Sequence, residues 1–216
     1  MIHAPMLPPT FRTLVLPALV LGGLSACGPA PDHAPSPGPV PAATASAQDV
    51  FWSRLSALCG QAAEGELLRA PAGDTQIDPG ARLVVHFWEC GEDELRFPLH
   101  VDENRSRTWV FIRHADGLEL RHDHRHADGT EESSTWYGAR TLDAGTAERQ
   151  EFVMERAGIR SGWRVEIDPG RRFTYGTIRD GEWRHHLEFD LTRPVTVPPL
   201  PWGHQTRPSQ RPDPAG

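Results

Sequence analysis

From residue 82 onward the chain alternates apolar and polar side chains in short runs broken by turn residues, and the pattern holds to residue 191. A period of two is the mark of strands with one face buried. It predicts strands over 82–89, 94–101, 107–114, 118–126, 130–137, 161–167, 171–178 and 182–191. Nearly every connection between them is too short for the crossover that parallel neighbours need, so the strands are expected to form an antiparallel meander. The stretch 141–160 is long enough for a short strand around Phe152 and a helical turn. Ahead of the strands the period lengthens. Phe51, Trp52, Leu55, Leu58 and Cys59 recur at helical spacing and predict one amphipathic helix over 49–60, with Asp49 as its cap and Gly60 as its stop.

A repeat bears on the register. Arg113-His114-Ala115-Asp116-Gly117-Leu118-Glu119 returns as Arg125-His126-Ala127-Asp128-Gly129-Thr130-Glu131. A three-residue hairpin loop with glycine in the left-handed position suits Ala-Asp-Gly. It sets Arg113 opposite Glu119 and Arg125 opposite Glu131. The same loop at Arg179-Asp180-Gly181 pairs Phe173 with Leu187, Tyr175 with His185 and Thr177 with Trp183, apolar against apolar.

The strand over 118–126 has two very different faces. Leu118, Leu120, His122, His124 and His126 share one, and Glu119, Arg121, Asp123 and Arg125 share the other. Placing the charged face in solvent turns the histidines inward. In the three-residue register Glu132 faces His124; in a two-residue register Glu131 faces His126 instead. Histidines two apart on a strand can both reach one ion, and a carboxylate with a water would complete a zinc or other transition-metal site. All three cannot, because at about 3.3 Å per residue His122 and His126 lie roughly 13 Å apart. The plainer alternative is a row of partly exposed polar side chains bonded to Ser133, Ser134 and water. A pocket for a polar ligand is the third.

Fewer signals point to catalysis. The chain has no G-x-S-x-G, H-E-x-x-H, P-loop or G-x-G-x-x-G pattern. His185 and His186 form a second candidate, with His185 inward opposite Tyr175; the plainer alternative is a histidine at the edge of the core bonded to the Tyr175 hydroxyl. Trp109, Trp136, Trp163 and Trp183 fall on expected strands, where they would line a ligand site or simply fill the core.

The N-terminus has an apolar run over 13–23 behind Arg12, then Leu24-Ser25-Ala26-Cys27. The run is about half the roughly 20 residues a spanning helix needs, which fits a cleaved signal. Leu24-Ser25-Ala26-Cys27 resembles the lipobox of bacterial lipoproteins. That resemblance covers the first 27 residues. It implies cleavage before Cys27, lipid on its thiol, attachment to a membrane and, with Gly28 rather than an aspartate next, transport to the outer membrane facing the periplasm. An ordinary secretory signal is the alternative. Residues 27–48 are mostly Pro, Ala, Gly and Ser and read as a tether; 204–216 reads as a tail, and 49–203 as one domain.

With Cys27 lipidated, Cys59 and Cys90 remain for an oxidising compartment and are expected to form a disulfide, two buried thiols being the alternative. Every basic residue is arginine, and the formal charge of −7 becomes −8 once residues 1–26, with one Arg and no acid, are removed. Nucleic acid is an unexpected partner for such a chain. Eight meandering strands behind a helix resemble a lipocalin-like up-and-down barrel, or else a strongly curved sheet. The segments 51–60, 102–110, 122–129 and 189–203 are similar to small secreted bacterial proteins, a resemblance that carries no activity. The resulting expectation is a non-catalytic, membrane-anchored lipoprotein that binds a small ligand or metal ion through His122, His124, His126 and Glu132. The alternatives are a structural lipoprotein that holds a protein partner, and a metal-dependent hydrolase.

Overall fold

The computed structural model describes residues 45–204, so the signal segment, Cys27, most of the tether and the tail past residue 204 lie outside the described residues. The chain runs α1 (Ala47–Ser56), β1 (Ala62–Arg69), β2 (Leu83–His86), β3 (Glu89–Cys90), β4 (Glu94–Val101), β5 (Asn104–His114), β6 (Gly117–His124), β7 (Tyr137–Arg140), β8 (Arg149–Arg156), β9 (Ile159–Asp168), β10 (Arg172–Arg179), β11 (Glu182–Trp183) and β12 (His186–Asp190). All pairings are antiparallel, in the order β7-β6-β5-β4-β2-β1-β12-β10-β9-β8. The first strand meets the last, so the meander curls into a nearly closed barrel of the lipocalin-like up-and-down kind. Its seam lies between β7 and β8, where an isolated bridge joins Thr141 to Phe152.

The helix starts two residues earlier than expected. Ser46, not Asp49, is the cap; its hydroxyl accepts from the Asp49 amide while the Asp49 carboxylate accepts from the Ser46 amide, a reciprocal arrangement that satisfies two orphan donors. Phe51, Trp52 and Leu55 enter the core. Bonds from Gln48 to Thr141, from Arg54 to Ala147 and from the Trp52 indole to the Glu92 carbonyl fix α1 across one end of the barrel. Cys59 and Cys90 form the expected disulfide beside it.

Several sequence expectations about the sheet change. β1 was not anticipated: Ala-Ala-Glu-Gly-Glu-Leu-Leu-Arg lacks β-branched residues and has a composition that strands avoid. The barrel holds it by pairing on both edges. Gly65 is needed there, since a Cβ would fall 2.4 Å from the Phe189 ring. The strand expected over 130–137 is a loop, with Trp136 at φ 57°; its polar run gives the sheet no apolar face before Trp136 itself. Lastly, the repeat makes two different turns. Around Gly129 the three-residue loop sets Arg125 opposite Glu131, as expected. The first copy makes a two-residue turn with His114 opposite Gly117 and Arg113 opposite Leu118. A one-residue slip exchanges the faces of a strand, and this register buries Trp109 and Phe111 in the barrel. At Asp180-Gly181 both residues have positive φ, which defines a two-residue hairpin turn. An irregularity after β11 then sets Tyr175 opposite Leu187 and Phe173 opposite Phe189, so His185 does not face Tyr175.

The chain after β12 does not leave the domain. The Val195 amide bonds to Ala62 on β1, and the Trp202 amide bonds to Arg105 on β5. Residues 192–204 therefore cross the outside of β2 and β4, which lie between those anchors. Under this strap Val84, His86, Pro98, His100, Thr108 and Val110 are buried although they point away from the barrel axis. Asp123, expected in solvent, is 1 % exposed and receives Arg125 at 3.0 Å and the His204 ring at 3.2 Å. His204 thus belongs to the folded unit rather than to a tail.

Candidate functional site

Below its midpoint the barrel is filled with hydrocarbon. Phe87, Phe97, Phe111 and Phe173 meet mostly edge to face, and Trp109 stacks on Tyr175 with centroids 3.8 Å apart. Apart from Gln150, whose amide bonds to the Ala144 and Thr146 carbonyls near α1, the polar inward residues named below lie above that layer, at the end opposite α1.

β6 ends at this mouth, and its two-residue period delivers His122 and His124 inward as expected. His122 is 3 % exposed. Its Nε2 lies 2.6 Å from the Tyr175 hydroxyl and its Nδ1 lies 3.2 Å from the Tyr137 carbonyl. A carbonyl only accepts, so the ring proton sits on Nδ1 and Nε2 accepts the tyrosine hydroxyl. Burial holds this imidazole neutral, with its pKa lowered to about 3, and pushes the Tyr175 phenol well up. Tyr137 and Trp163 flank the ring, each with its centroid 4.7 Å away.

His124 sits nearer the rim. Its Nε2 is 3.0 Å from the Tyr137 hydroxyl, and its Nδ1 is 3.8 Å from a Glu132 carboxylate oxygen. The three-residue register makes that approach, since the Glu132 amide bonds to the His124 carbonyl. Burial first, then the Arg107 charge, lowers the His124 pKa, with Glu132 opposing. His126 does not join the group: β6 stops at His124, the chain turns into the Ala-Asp-Gly loop, and His126 is exposed. Glu131 bonds instead to Arg125 and the Trp136 indole.

Across the mouth the Thr177 hydroxyl lies 2.8 Å from Nδ1 of His185, whose Nε2 is 3.4 Å from Asp74. The loop 70–82 brings Asp74 there and seats Ile77 on the core. Met154, Ser161, Trp163 and Thr177 line a depression of about 370 Å³ that opens over β8 to β10. A larger depression, about 790 Å³, lies on the outer wall, but Arg172 pairs there with Glu188 and Arg193 with Asp190. Its arginines are already paired with its own acids, whereas the mouth presents aromatic faces.

The donor set at the mouth suits hydrogen bonding and stacking better than metal. The Nε2 lone pair of His122 is taken by Tyr175, the His122 and His124 ring centroids are 6.5 Å apart, and among the described residues no three His, Cys, Asp or Glu side chains are placed to hold one ion. The sequence marked His122, His124 and Glu132. It marked Tyr175 too, but as the partner of His185 rather than of His122, and it did not mark Tyr137 or Arg107; the signal for Tyr137 was its place at the end of the returning loop. Comparison with family models, with curated proteins and with solved structures returned no match.

Proposed function

We propose that this chain is an exported lipoprotein, held at the outer membrane by lipid on Cys27 and facing the periplasm, whose barrel binds a small organic ligand at its mouth without turning it over. The observation that carries the reading is the switch from packed hydrocarbon to an open group of polar aromatics at one end. Tyr137 is 39 % exposed over a buried His122–Tyr175 pair. Concave sites, apolar with a few fixed polar groups, are where proteins hold small molecules, and the depression lined by Met154, Trp163 and Thr177 adjoins this group. The Cys59–Cys90 bridge supports an oxidising compartment, and the sequence of the first 27 residues supports the anchor.

Native mass spectrometry of the chain purified from its own cells is expected to show a bound small molecule, lost from the Trp163→Ala variant. Equal masses for the two proteins beyond the substitution itself would count against the mouth. For the anchor, Cys27→Ser is expected to abolish metabolic labelling with a fatty acid and to move the protein from the membrane to the soluble fraction. Continued labelling would refute lipidation at that residue.

A further inference from the structure

Resting on the mouth reading and extending it, we infer that the ligand is a planar ring carrying a carboxylate or similar monoanion, bound through Arg107. β5 sends Trp109 and Phe111 into the barrel, so Arg107, two residues before Trp109, points the same way, opposite His124 on β6. Most other cations of this wall are spent on acids, Arg96 on Glu94, Arg113 on Asp49, Arg121 on Glu119 and Arg125 on Asp123, while Arg105 is tied to the Leu200 carbonyl of the strap. Arg107 has a hydrogen bond to the Gln76 carbonyl at 3.3 Å and no carboxylate within ion-pair distance among the described residues. A guanidinium has five N–H donors in a fork that matches a carboxylate, and most of this fork is left over.

Its charge is felt throughout the mouth. It lowers the pKa of His124 and acts on the Tyr137 and Tyr175 phenols. The nearby acids, Glu132 at 3.8 Å from the His124 ring and Asp74 at 3.4 Å from the His185 ring, form no ion pair with Arg107 among the described residues. Beside the cation lies a platform for a ring, made by Tyr137 and Trp163 at 5.9 Å with the exposed Met154 near them. An anionic group on the guanidinium and a flat ring on that platform would use both. Neither a bare inorganic anion nor a neutral hydrocarbon would.

The test compares 2-naphthoate with 2-naphthalenemethanol, the same ring without the charge, by calorimetric titration of the purified full chain, with indole N–H NMR to locate binding. Naphthoate is expected to bind about tenfold tighter or more, the scale of one charge-assisted pair. Arg107→Gln is expected to erase the difference and leave the alcohol unaffected, and Arg107→Lys to restore part of it. Equal binding of the two probes, both lost in Trp163→Ala, would overturn the anion assignment and leave the mouth standing. Binding of neither probe, or binding that survives Trp163→Ala, would overturn both.

Discussion

Taking the protein from pH 7 to pH 4 is expected to destabilise it severely and to loosen the C-terminal strap first. His86 and His100 lie on the outer face of β2 and β4 beneath residues 192–204, each 4 % exposed. Nδ1 of His86 and Nε2 of His100 have no hydrogen-bond partner. Burial lowers both pKa values to about 4, and for His100 the charges of His86, Arg105 and Arg82 add to it. The strap crossing above carries Arg193 and His204 and no acid, and the Glu64 carboxylate on the neighbouring strand pairs with Arg82. Nothing facing the pair would welcome a proton. Because the folded values lie below the unfolded one near 6.5, the unfolded chain binds protons first. Stability therefore falls as pH drops below about 6.5 and levels off below about 4 for these two sites, and below about 3 for His122. At roughly 1.4 kcal/mol per pKa unit, each site costs on the order of 3 kcal/mol by pH 4, a large share of the 5–15 kcal/mol of an ordinary domain. Denaturant unfolding across this pH range measures the slope. The His86→Leu/His100→Leu variant is expected to show a markedly flatter one, and an unchanged slope would remove the pair as its source. Hydrogen exchange at the Val195 and Trp202 amides, which tie the strap to β1 and β5, is expected to accelerate in acid before that of the barrel strands.

The parts of this molecule that were legible in the sequence are those where side-chain period and environment agree. The alternate positions Leu118, Leu120, His122 and His124 were enough to orient β6, because the opposing face is all charge, although His126, the fifth of the row, falls in the turn beyond the strand. The barrel class followed from short connections. What stayed hidden depends on partners distant in sequence. β1 is a strand because β2 and β12 flank it, not because its residues prefer extension. The strap has four prolines and no strand or helix pattern, and its last residue, His204, reads as the start of a tail, yet it provides the cover that makes Asp123 and the outer histidines interior groups. The repeat shows the limit most clearly, since nearly identical heptapeptides form turns of different length. Trp109 and Phe111 decide the first, and the Arg125–Glu131 bridge accompanies the second. That one-residue difference also hid Arg107, whose inward direction follows only from the register that buries Trp109.

Removing the disulfide is expected to cost about 3–4 kcal/mol while leaving the mouth intact. Cys59 follows the helix and Cys90 ends β3, 31 residues apart, with Cα atoms 6.2 Å from each other. Closing a loop of that length removes unfolded-state entropy worth about 3–4 kcal/mol in the chain-entropy treatment. The loop contains β1, residues 70–82 and β2, and β1 is the strand through which the two ends of the meander meet. Its composition gives it little tendency to extend alone, so the covalent tie acts where the barrel is least supported by local preference. The native links around the bridge, Gly60 amide to Phe87 carbonyl and Trp52 indole to Glu92 carbonyl, remain available to a Cys59→Ser/Cys90→Ser protein. The folded state should therefore keep its structure, and the loss should appear as a lower denaturant midpoint with a similar slope. Reduction of the native protein should reproduce the midpoint of the double variant. Because His122, Tyr137 and Trp163 lie at the opposite end from α1 and the bridge, their NMR signals under native conditions should move little. A midpoint shift worth less than about 1 kcal/mol would mean that the unfolded chain already holds these segments together. Displacement of the mouth signals would mean that the barrel transmits strain along its whole axis, through the packed layer of Phe97, Trp109 and Phe173.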